Sequence, residues 1–507
     1  MQKFKFLENE HWYGGYVNDG IEQPYTKNSQ CNINLTYNDG SNQMVDFFIS
    51  NKGRLLYKQR GAYECTIEFS NGNILASDSF NLIANSNEQT LAAAYELAKD
   101  NCFSKQKIRL AKDFFEAPIY NSWIELTFNQ NQEDIIRYAK DNLQHSMPAG
   151  ILMIDDGWSD YYGKWKFSVE KFPKPQEMIK ELNSMGYKIM LWICPFITAD
   201  TYEYRELAKK DFLLKDSHGE IYISHWWNGH SAVLDLLNRE AKNWLDEQLQ
   251  ALVNLGISGF KFDAGDVRYY PHSNIEEIQA SIKQSNAWRD FCSTYNFNEL
   301  RAATNAAGMN IMERLADKDH SWDGKGIASL IPNSINASMI GHSYSSPDMI
   351  GGGEYLHFYN VDSLDEEIFV RWAQIAAFMP VMQFSAAPYR VLTASNQSRI
   401  NNAINLRLEL KDYIMNIVEA SFKDKNPIIA PVEFYYPETT EILCDQFCFG
   451  KNLIIAPITT SNTDSRSVYL PKGKWENFNT KEVIEIKQAK FVQSHDDLPI
   501  YKRIDTN

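Results

Sequence analysis

No stretch of this chain is apolar for long enough to cross a bilayer; nothing approaches the run of about 18 apolar residues that a membrane helix needs. The opening residues, Met1-Gln2-Lys3-Phe4-Lys5-Phe6-Leu7-Glu8-Asn9-Glu10, lack the apolar core of a secretory leader, so the expected localisation is cytoplasmic. Cysteine is sparse: seven are scattered over 507 residues, an odd number that implies no full disulfide framework. Cys444 and Cys448 have no second ligand pair nearby, and there is neither an HExxH motif nor a histidine cluster, so no metal is expected. Basic residues are outnumbered, 50 against 65 acidic, and the net charge of −15 argues against nucleic acid or an anionic membrane as the main partner. Gly351-Gly352-Gly353 lacks the following Lys-Ser/Thr and the GxGxxG spacing of a phosphate loop. No GxSxG elbow, internal repeat or low-complexity tract is present.

Aromatics are plentiful at 13%, with 12 Trp and 27 Tyr, side chains that stack on sugar faces and also fill cores. Their setting changes along the chain. Residues 1–108 read as a β-sandwich, with hairpin signals at Asn38-Asp39-Gly40, Asn51-Lys52-Gly53 and Asn71-Gly72-Asn73. Over residues 63–69, Tyr63, Cys65, Ile67 and Phe69 alternate with Glu64, Thr66 and Glu68, as a half-buried strand requires. A helix is expected over 90–99. From 109 to 424 strands alternate with amphipathic helices: strands over 118–126, 150–154, 188–193 and 257–262, helices over 133–144, 175–185 and 238–255, with Gly186 and Gly256 as stops. This rhythm predicts an α/β fold, a (β/α)8 TIM barrel, followed over 425–507 by a C-terminal β-domain with strands near 427–436, 446–457 and 467–470.

Catalytic groups of a parallel barrel stand where its strands end. Gly256-Ile257-Ser258-Gly259-Phe260-Lys261-Phe262-Asp263-Ala264-Gly265-Asp266 delivers Asp263 at such an end, as a nucleophile or base, or else as the cap of the next helix. Asp155-Asp156-Gly157-Trp158 and Trp192-Ile193-Cys194-Pro195-Phe196 end two further strands. Carboxylates and tryptophans on one face suit a neutral, hydroxyl-rich ligand. Glycoside hydrolysis needs a second carboxyl. Asp323, between Trp322 and Gly324, offers one if partial burial raises its pKa; the alternative is a turn aspartate.

These motifs resemble glycoside hydrolase family 31. Gly259 to Asp266 is similar to that family's nucleophile segment. Arg314 followed by Trp322-Asp323-Gly324 is similar to its acid/base loop, Ser346-Pro347-Asp348-Met349-Ile350-Gly351-Gly352 to its next strand, and Val370-Arg371-Trp372-Ala373-Gln374 with Pro380-Val381-Met382-Gln383-Phe384-Ser385 to the one after. The resemblance implies retaining α-glycosidase chemistry, with Asp263 as nucleophile, Asp323 as acid/base and Arg314 as a pocket residue. Phe262 and Asp263-Ala264-Gly265-Asp266 stand where most members have Trp and Asp-Met-Asn-Glu. Gln383-Phe384-Ser385 stands where α-glucosidases have Arg-Asn-His. Both departures resemble the branch with bacterial α-galactosidases. Asp155-Asp156-Gly157-Trp158 also resembles family 36, whose nucleophile strand, Lys-Trp-Asp, differs from the one here.

The resulting expectation is an exo-acting α-galactosidase. Alternatives are an α-glucosidase, α-xylosidase or α-N-acetylgalactosaminidase, a non-catalytic carbohydrate-binding protein, and a metal-dependent barrel hydrolase. The expected substrate-binding residues are Asp155, Asp156, Trp158, Trp192, Trp227, Lys261, Asp266, Arg314, Asp348 and Gln383, with Trp123 as a further wall. Trp226 is as readily a packing residue, and His230, Asp235 and Cys194 are read as structural. The expected partner is an oligosaccharide or small α-glycoside, with no nucleic acid, membrane or cofactor, and a homo-oligomer is left open.

Overall fold

The computed structural model describes residues 1–38, 41–59, 65–106, 109–360 and 364–505. At its centre, eight parallel strands form one sheet. In chain order they are β1 (Ile119–Asn121), β2 (Ile151–Ile154), β3 (Lys188–Ile193), β4 (Gly259–Phe262), β5 (Asn298–Leu300), β6 (Met312–Arg314), β7 (Ser345–Ser346) and β8 (Gln383–Phe384). Neighbours pair in sequence from β1 to β7, and β8 returns to pair with β1. Two backbone bonds join the last gap, Val381 N–H to the Ser345 carbonyl at 3.2 Å and Ile350 N–H to the Gln383 carbonyl at 2.8 Å. The ring is therefore a TIM barrel with short strands.

The expected strand over 188–193 and the helix after Asn238 match the observed elements. Asn238 caps helix Arg239–Leu255 through the Glu240 and Ala241 amides, and Gly256 ends it at φ +115°. Strand β4 starts at Gly259 rather than Ile257, because Ile257 N–H still bonds the helix carbonyl of Leu252. The expected strand over 118–126 is cut short after Asn121. Its side-chain oxygen takes the Trp123 amide at 2.8 Å and starts a helical turn, Trp123–Leu126. Likewise the stretch 427–436 is a strand only at Ile429–Ala430. Pro431 has no N–H for a ladder, and Val432–Tyr435 turns into a helix.

The N-terminal part is a β-sandwich of a four-stranded and a six-stranded sheet. Trp12, Tyr25, Phe48, Ile67 and Phe69 fill the space between the sheets. Asn51-Lys52-Gly53 and Asn71-Gly72-Asn73 make the expected turns; Asp39, Gly40, Tyr63 and Glu64 lie outside the described residues. The sixth strand of the larger sheet is Ala303–Thr304, which follows β5 and pairs parallel with Gln43 and Met44. The sandwich is thus laced into the barrel just beyond a strand end. At the other end of the chain, an antiparallel six-stranded sheet and a two-stranded ribbon form the C-terminal β-domain. It is tied to the barrel where Arg371, Gln374 and Arg399 converge on Asp497 at 2.6–2.9 Å.

Gly259 is where β4 packs closest. A Cβ there would stand 2.0 Å from the Phe297 carbonyl oxygen and 2.3 Å from the Phe297 Cβ, neither of which can swing away. Gly259→Ala should cost about 1–3 kcal/mol, the usual penalty of overpacking a core. Urea denaturation followed by tryptophan fluorescence measures it; an unchanged midpoint would contradict the described barrel packing.

Candidate active site

Side chains alternate along a strand, so Lys261 and Asp263 of the β4 segment point to one side, into the barrel, while Phe260 and Phe262 point outward to Tyr295 and Trp288. Strand register sets their neighbours. Lys261 is level with Trp192 on β3 and Glu299 on β5. Continuing the same registers by one residue sets Asp155 beside Trp192, Asp263 beside Arg301, and Arg301 beside Arg314. Two layers result: Asp155, Trp192, Lys261 and Glu299 beneath, Asp263, Arg301 and Arg314 above.

The layers floor a cavity of about 340 Å³, lined by Asp155, Asp156, Trp192, Lys261, Asp263 and Arg314, with Trp123 and Trp227 as walls. Lys261 Nζ donates to Asp155 Oδ2 at 2.6 Å, and both groups are buried. Trp192 Nε1 donates to Asp263 Oδ2 at 2.8 Å, and the Ala264 amide to Asp263 Oδ1 at 2.8 Å. Asp263 therefore caps no helix. Burial alone would raise its pKa, but the Lys261, Arg301 and Arg314 charges and the Trp192 hydrogen bond outweigh it, and the carboxyl stays below its ordinary value. A buried carboxylate that remains ionised and faces a cavity is equipped for nucleophilic attack.

Asp156 differs. Burial pushes its carboxyl up to about 7, although the Tyr162 hydroxyl donates to it at 2.9 Å and Asn228 Nδ2 at 2.8 Å.

Five expected site residues, four substrate-binding and one catalytic, do not line the cavity. Trp158 is fully buried below, its indole N–H on the Trp192 carbonyl at 2.8 Å. Gln383 is buried and donates to Glu299 Oε2 at 2.7 Å. Asp266 sits behind Arg301, with Oδ2 3.4 Å from its Nε. Asp348 is buried beneath the loop after β6, where Arg314 Nη1 at 2.9 Å and the Lys318 and Gly353 amides hold it. These four support the pocket from behind its lining. The fifth departure is Asp323, expected as acid/base. It is exposed in a turn, where the Ser321 hydroxyl at 2.7 Å and the Lys325 amide at 2.9 Å hold its carboxyl below the ordinary value. The burial that would raise its proton affinity is missing.

The carboxylate that this loop does bring to the cavity is Asp317, three residues past β6. Its side chain is half-exposed and bonds Arg314 Nη1, with Arg301 Nη1 3.9 Å away. Burial opposes its ionisation, but the two guanidiniums prevail and its pKa falls well below the carboxylate range. Arg301 also comes within 3.8 Å of Asp263, so one guanidinium stands against both carboxylates. Sequence reasoning missed Arg301 and Asp317. Both follow barrel strands, but β5 reads Asn-Glu-Leu and carries no apolar run. The N-terminal sandwich fixes this layer: Gln43 Nε2 donates to the Arg301 and Arg314 carbonyls, both at 3.1 Å.

Elsewhere, Trp226 is buried against Phe196 and Tyr162. His230 lies in a hairpin against His225, and Asp235 accepts from Gln284 at 2.6 Å. Cys194 is buried with its thiol pKa raised. Among the described residues no group of three or more His, Cys, Asp or Glu could hold a metal ion, and no helix is long and apolar enough to cross a membrane.

The model of the glycosyl hydrolases family 31 TIM-barrel domain matches residues 120–417, and that of the family 31 C-terminal domain matches residues 425–506. Over 389 residues the chain is 29% identical to myogenesis-regulating glycosidase of Mus musculus, covering 74% of this chain and 54% of that protein. It is 24% identical over 407 residues to alpha-glucosidase 2 of Bacillus thermoamyloliquefaciens, covering 73% and 50%. The chain thus spans about half the length of these curated relatives. A solved Flavobacterium johnsoniae GH31 dextranase complexed with glucose superposes with a TM-score of 0.84 at 18% identity, over 99% of this chain and 66% of that one. At that identity the likeness is one of fold.

The Asp156 environment has a measurable consequence. Its folded pKa of about 7 exceeds the ordinary 3.8, so the folded state binds the proton more tightly than the unfolded chain. The stability this supplies is full below the ordinary value and is lost as pH rises through the folded one. Asp156→Asn cannot ionise, so its stability relative to wild type should improve between pH 5 and pH 8. Urea midpoints at the two pH values test this; parallel profiles would contradict it.

Proposed function

The chain belongs to glycosyl hydrolase family 31, and from that premise we propose that it is a retaining, exo-acting α-glycosidase with Asp263 as its nucleophile. The observation that carries this reading is the ionised Asp263 carboxylate at the end of β4, facing a cavity that holds a second carboxylate, Asp317. A cavity near the lower end of the roughly 300–1,000 Å³ typical of ligand pockets suits one sugar unit. Its deep end is closed by the buried Lys261–Asp155 pair and Trp192, which favours removal of a terminal residue.

In this reading Asp263 attacks the anomeric carbon, and the C–O bond to the leaving group breaks as a glycosyl ester forms. Asp317 gives its proton to the departing oxygen, then takes one from the water that opens the ester. The free carboxylate is held ionised by Arg314 and Arg301. A sugar in the cavity excludes water and draws guanidinium hydrogen bonds onto its hydroxyls, and both effects raise the proton affinity of Asp317. Asp155 and Asp156 accept from sugar hydroxyls at the deep end, Asp156 also donating when protonated. Trp192 and Trp227 supply apolar faces.

For the sugar we favour galactose. The departures at Phe262 and Asp263-Ala264-Gly265-Asp266 support it, as does a cavity lining without the histidine that α-glucosidases place here. The α-glucosidase among the relatives makes glucose the main competitor.

The test is nitrophenol release from a panel of 4-nitrophenyl α-glycosides. Cleavage of the α-galactoside is expected, and preference for the α-glucoside or α-xyloside would overturn the sugar. Asp263→Ala should abolish turnover. Asp317→Asn should slow it by roughly 10²–10⁴-fold with poor leaving groups and less with nitrophenol, as expected on losing a general acid. Asp323→Asn should change the rate by less than about threefold, as for a surface turn residue. If Asp323→Asn gives the large effect and Asp317→Asn the small one, the acid/base assignment is reversed.

A further inference from the structure

Four cations line the cavity: Lys261, Arg268, Arg301 and Arg314. Three of them serve the carboxylates of the proposed reacting centre; Arg268 does not. It follows the β4 segment in a 3-10 turn, Val267–Tyr269, and stands at the mouth. Its guanidinium lies 4.9 Å from the centroid of the Tyr269 ring, which meets the ring of Trp227 edge-on at 5.6 Å. Its nearest carboxylate oxygen is Asp266 Oδ1 at 3.8 Å, beyond a hydrogen bond, and Asp266 is shared with Arg301. Arg268 Nε is buried with no hydrogen-bond partner among the described residues.

Exposure orders the cavity from its floor to its mouth. Lys261, Asp155 and Trp192 are buried, whereas the Arg268 side chain is 37% exposed and Trp227 45% exposed. By the same measure Asp317, 47% exposed, also stands at the mouth, so in the glycosidase reading the leaving group lies among Asp317, Arg268, Tyr269 and Trp227. Glu354 also lines the cavity, with its carboxylate taken by the Leu356 amide at 3.1 Å.

We propose that the Arg268 edge binds an anionic group, a carboxylate, sulfate or phosphate, carried on the leaving-group side of the substrate. This rests on the glycosidase reading. A guanidinium fixed over a ring presents parallel N–H donors that match an oxyanion in pairs. Trp227, 45% exposed with Arg301 over one ring face at 4.9 Å, lies beside it to take the ring that bears the anion. In a chain of net charge −15, such a group is repelled from most of the surface and admitted here.

Equilibrium binding tests this without turnover. The probes are 4-carboxyphenyl and 4-hydroxymethylphenyl α-galactosides, titrated calorimetrically into Asp263→Asn and into Asp263→Asn/Arg268→Gln. Circular dichroism confirms that both variants fold. The carboxylate should bind about tenfold more tightly than its neutral partner, a gap of the size a charge-assisted hydrogen bond supplies. That ratio should fall to within about twofold without Arg268, whatever happens to neutral binding. A ratio near one with Arg268 present overturns the proposal, as does a preference that survives Arg268→Gln. A 4-nitrophenyl α-galacturonide, charged in the sugar ring, separates the other source: preference for it alone also overturns the proposal. If neither galactoside binds, the matching glucoside and xyloside pairs are titrated, and absence of carboxylate preference in all of them counts against it. Carboxylate preference without hydrolysis of any glycoside would sink the glycosidase reading and leave the anion edge standing.

Discussion

A lysine ammonium buried in the floor of a barrel needs a compensating charge, and Lys261 has it in Asp155 at 2.6 Å. The arrangement of the site follows from that pairing. Lys261 projects from the strand that ends in Asp263, and Asp155 follows the strand two places away in the sheet. The pair therefore holds two strand ends in fixed relation, and its cation lowers the proton affinity of the neighbouring Asp263. Above it, Arg301 and Arg314 stand among Asp263, Asp317 and Asp348. Opposite charges interleave layer by layer. The environment then divides the carboxyls: Asp263 stays ionised, while burial pushes Asp156 up to about 7 and Asp348 to about 6. The two carboxyls assigned to the reaction, Asp263 and Asp317, are both held ionised by these cations, whereas the raised ones stand in binding and supporting positions.

The flanking domains contribute to this network. The N-terminal sandwich lends a strand to Ala303–Thr304 and a side chain, Gln43, that binds the backbone of both arginine positions. Its joining to the barrel positions Arg301, which stands against both Asp263 and Asp317. The same sandwich reaches the C-terminal domain through His11, whose Nε2 lies 2.7 Å from Glu433 Oε1 in a buried contact that Tyr13 shares at 3.1 Å. The two flanking domains are thus joined to each other as well as to the barrel.

How much of this was legible depended on whether a residue's signal was local. The β4 segment announced itself by an apolar run between glycines, and Asp263 stands where that run ends. Asp155, Asp156, Trp192 and Lys261 were found by the same strand-end logic. Applied to Met312–Arg314 it would also have found Asp317, but Asp-Gly next to tryptophan drew attention to Asp323, whose surroundings proved to be a solvated turn. Asp266, Asp348 and Gln383 occur in motifs resembling the family's, Trp158 in one resembling family 36, and they hold the site from behind. A motif marks such residues without saying which side chains reach the cavity. Arg301 had no local signal: its strand, Asn298–Leu300, is defined by pairing with β4 and β6 and not by composition. Strand lengths failed where one side chain bond or one proline redirected the backbone, at Asn121 and at Pro431.

Covalent attachment of the sugar to Asp263 is the step on which the proposed retaining mechanism depends. The direct measurement is to incubate the enzyme with a 5-fluoro-α-galactosyl fluoride, whose ester hydrolyses slowly, and to map the modified peptide by mass spectrometry. One fluorogalactosyl group on the peptide that carries Asp263, with none on the Asp263→Ala protein, is the predicted result. A label on another residue, or turnover that inverts the anomeric centre with no label trapped, would contradict it.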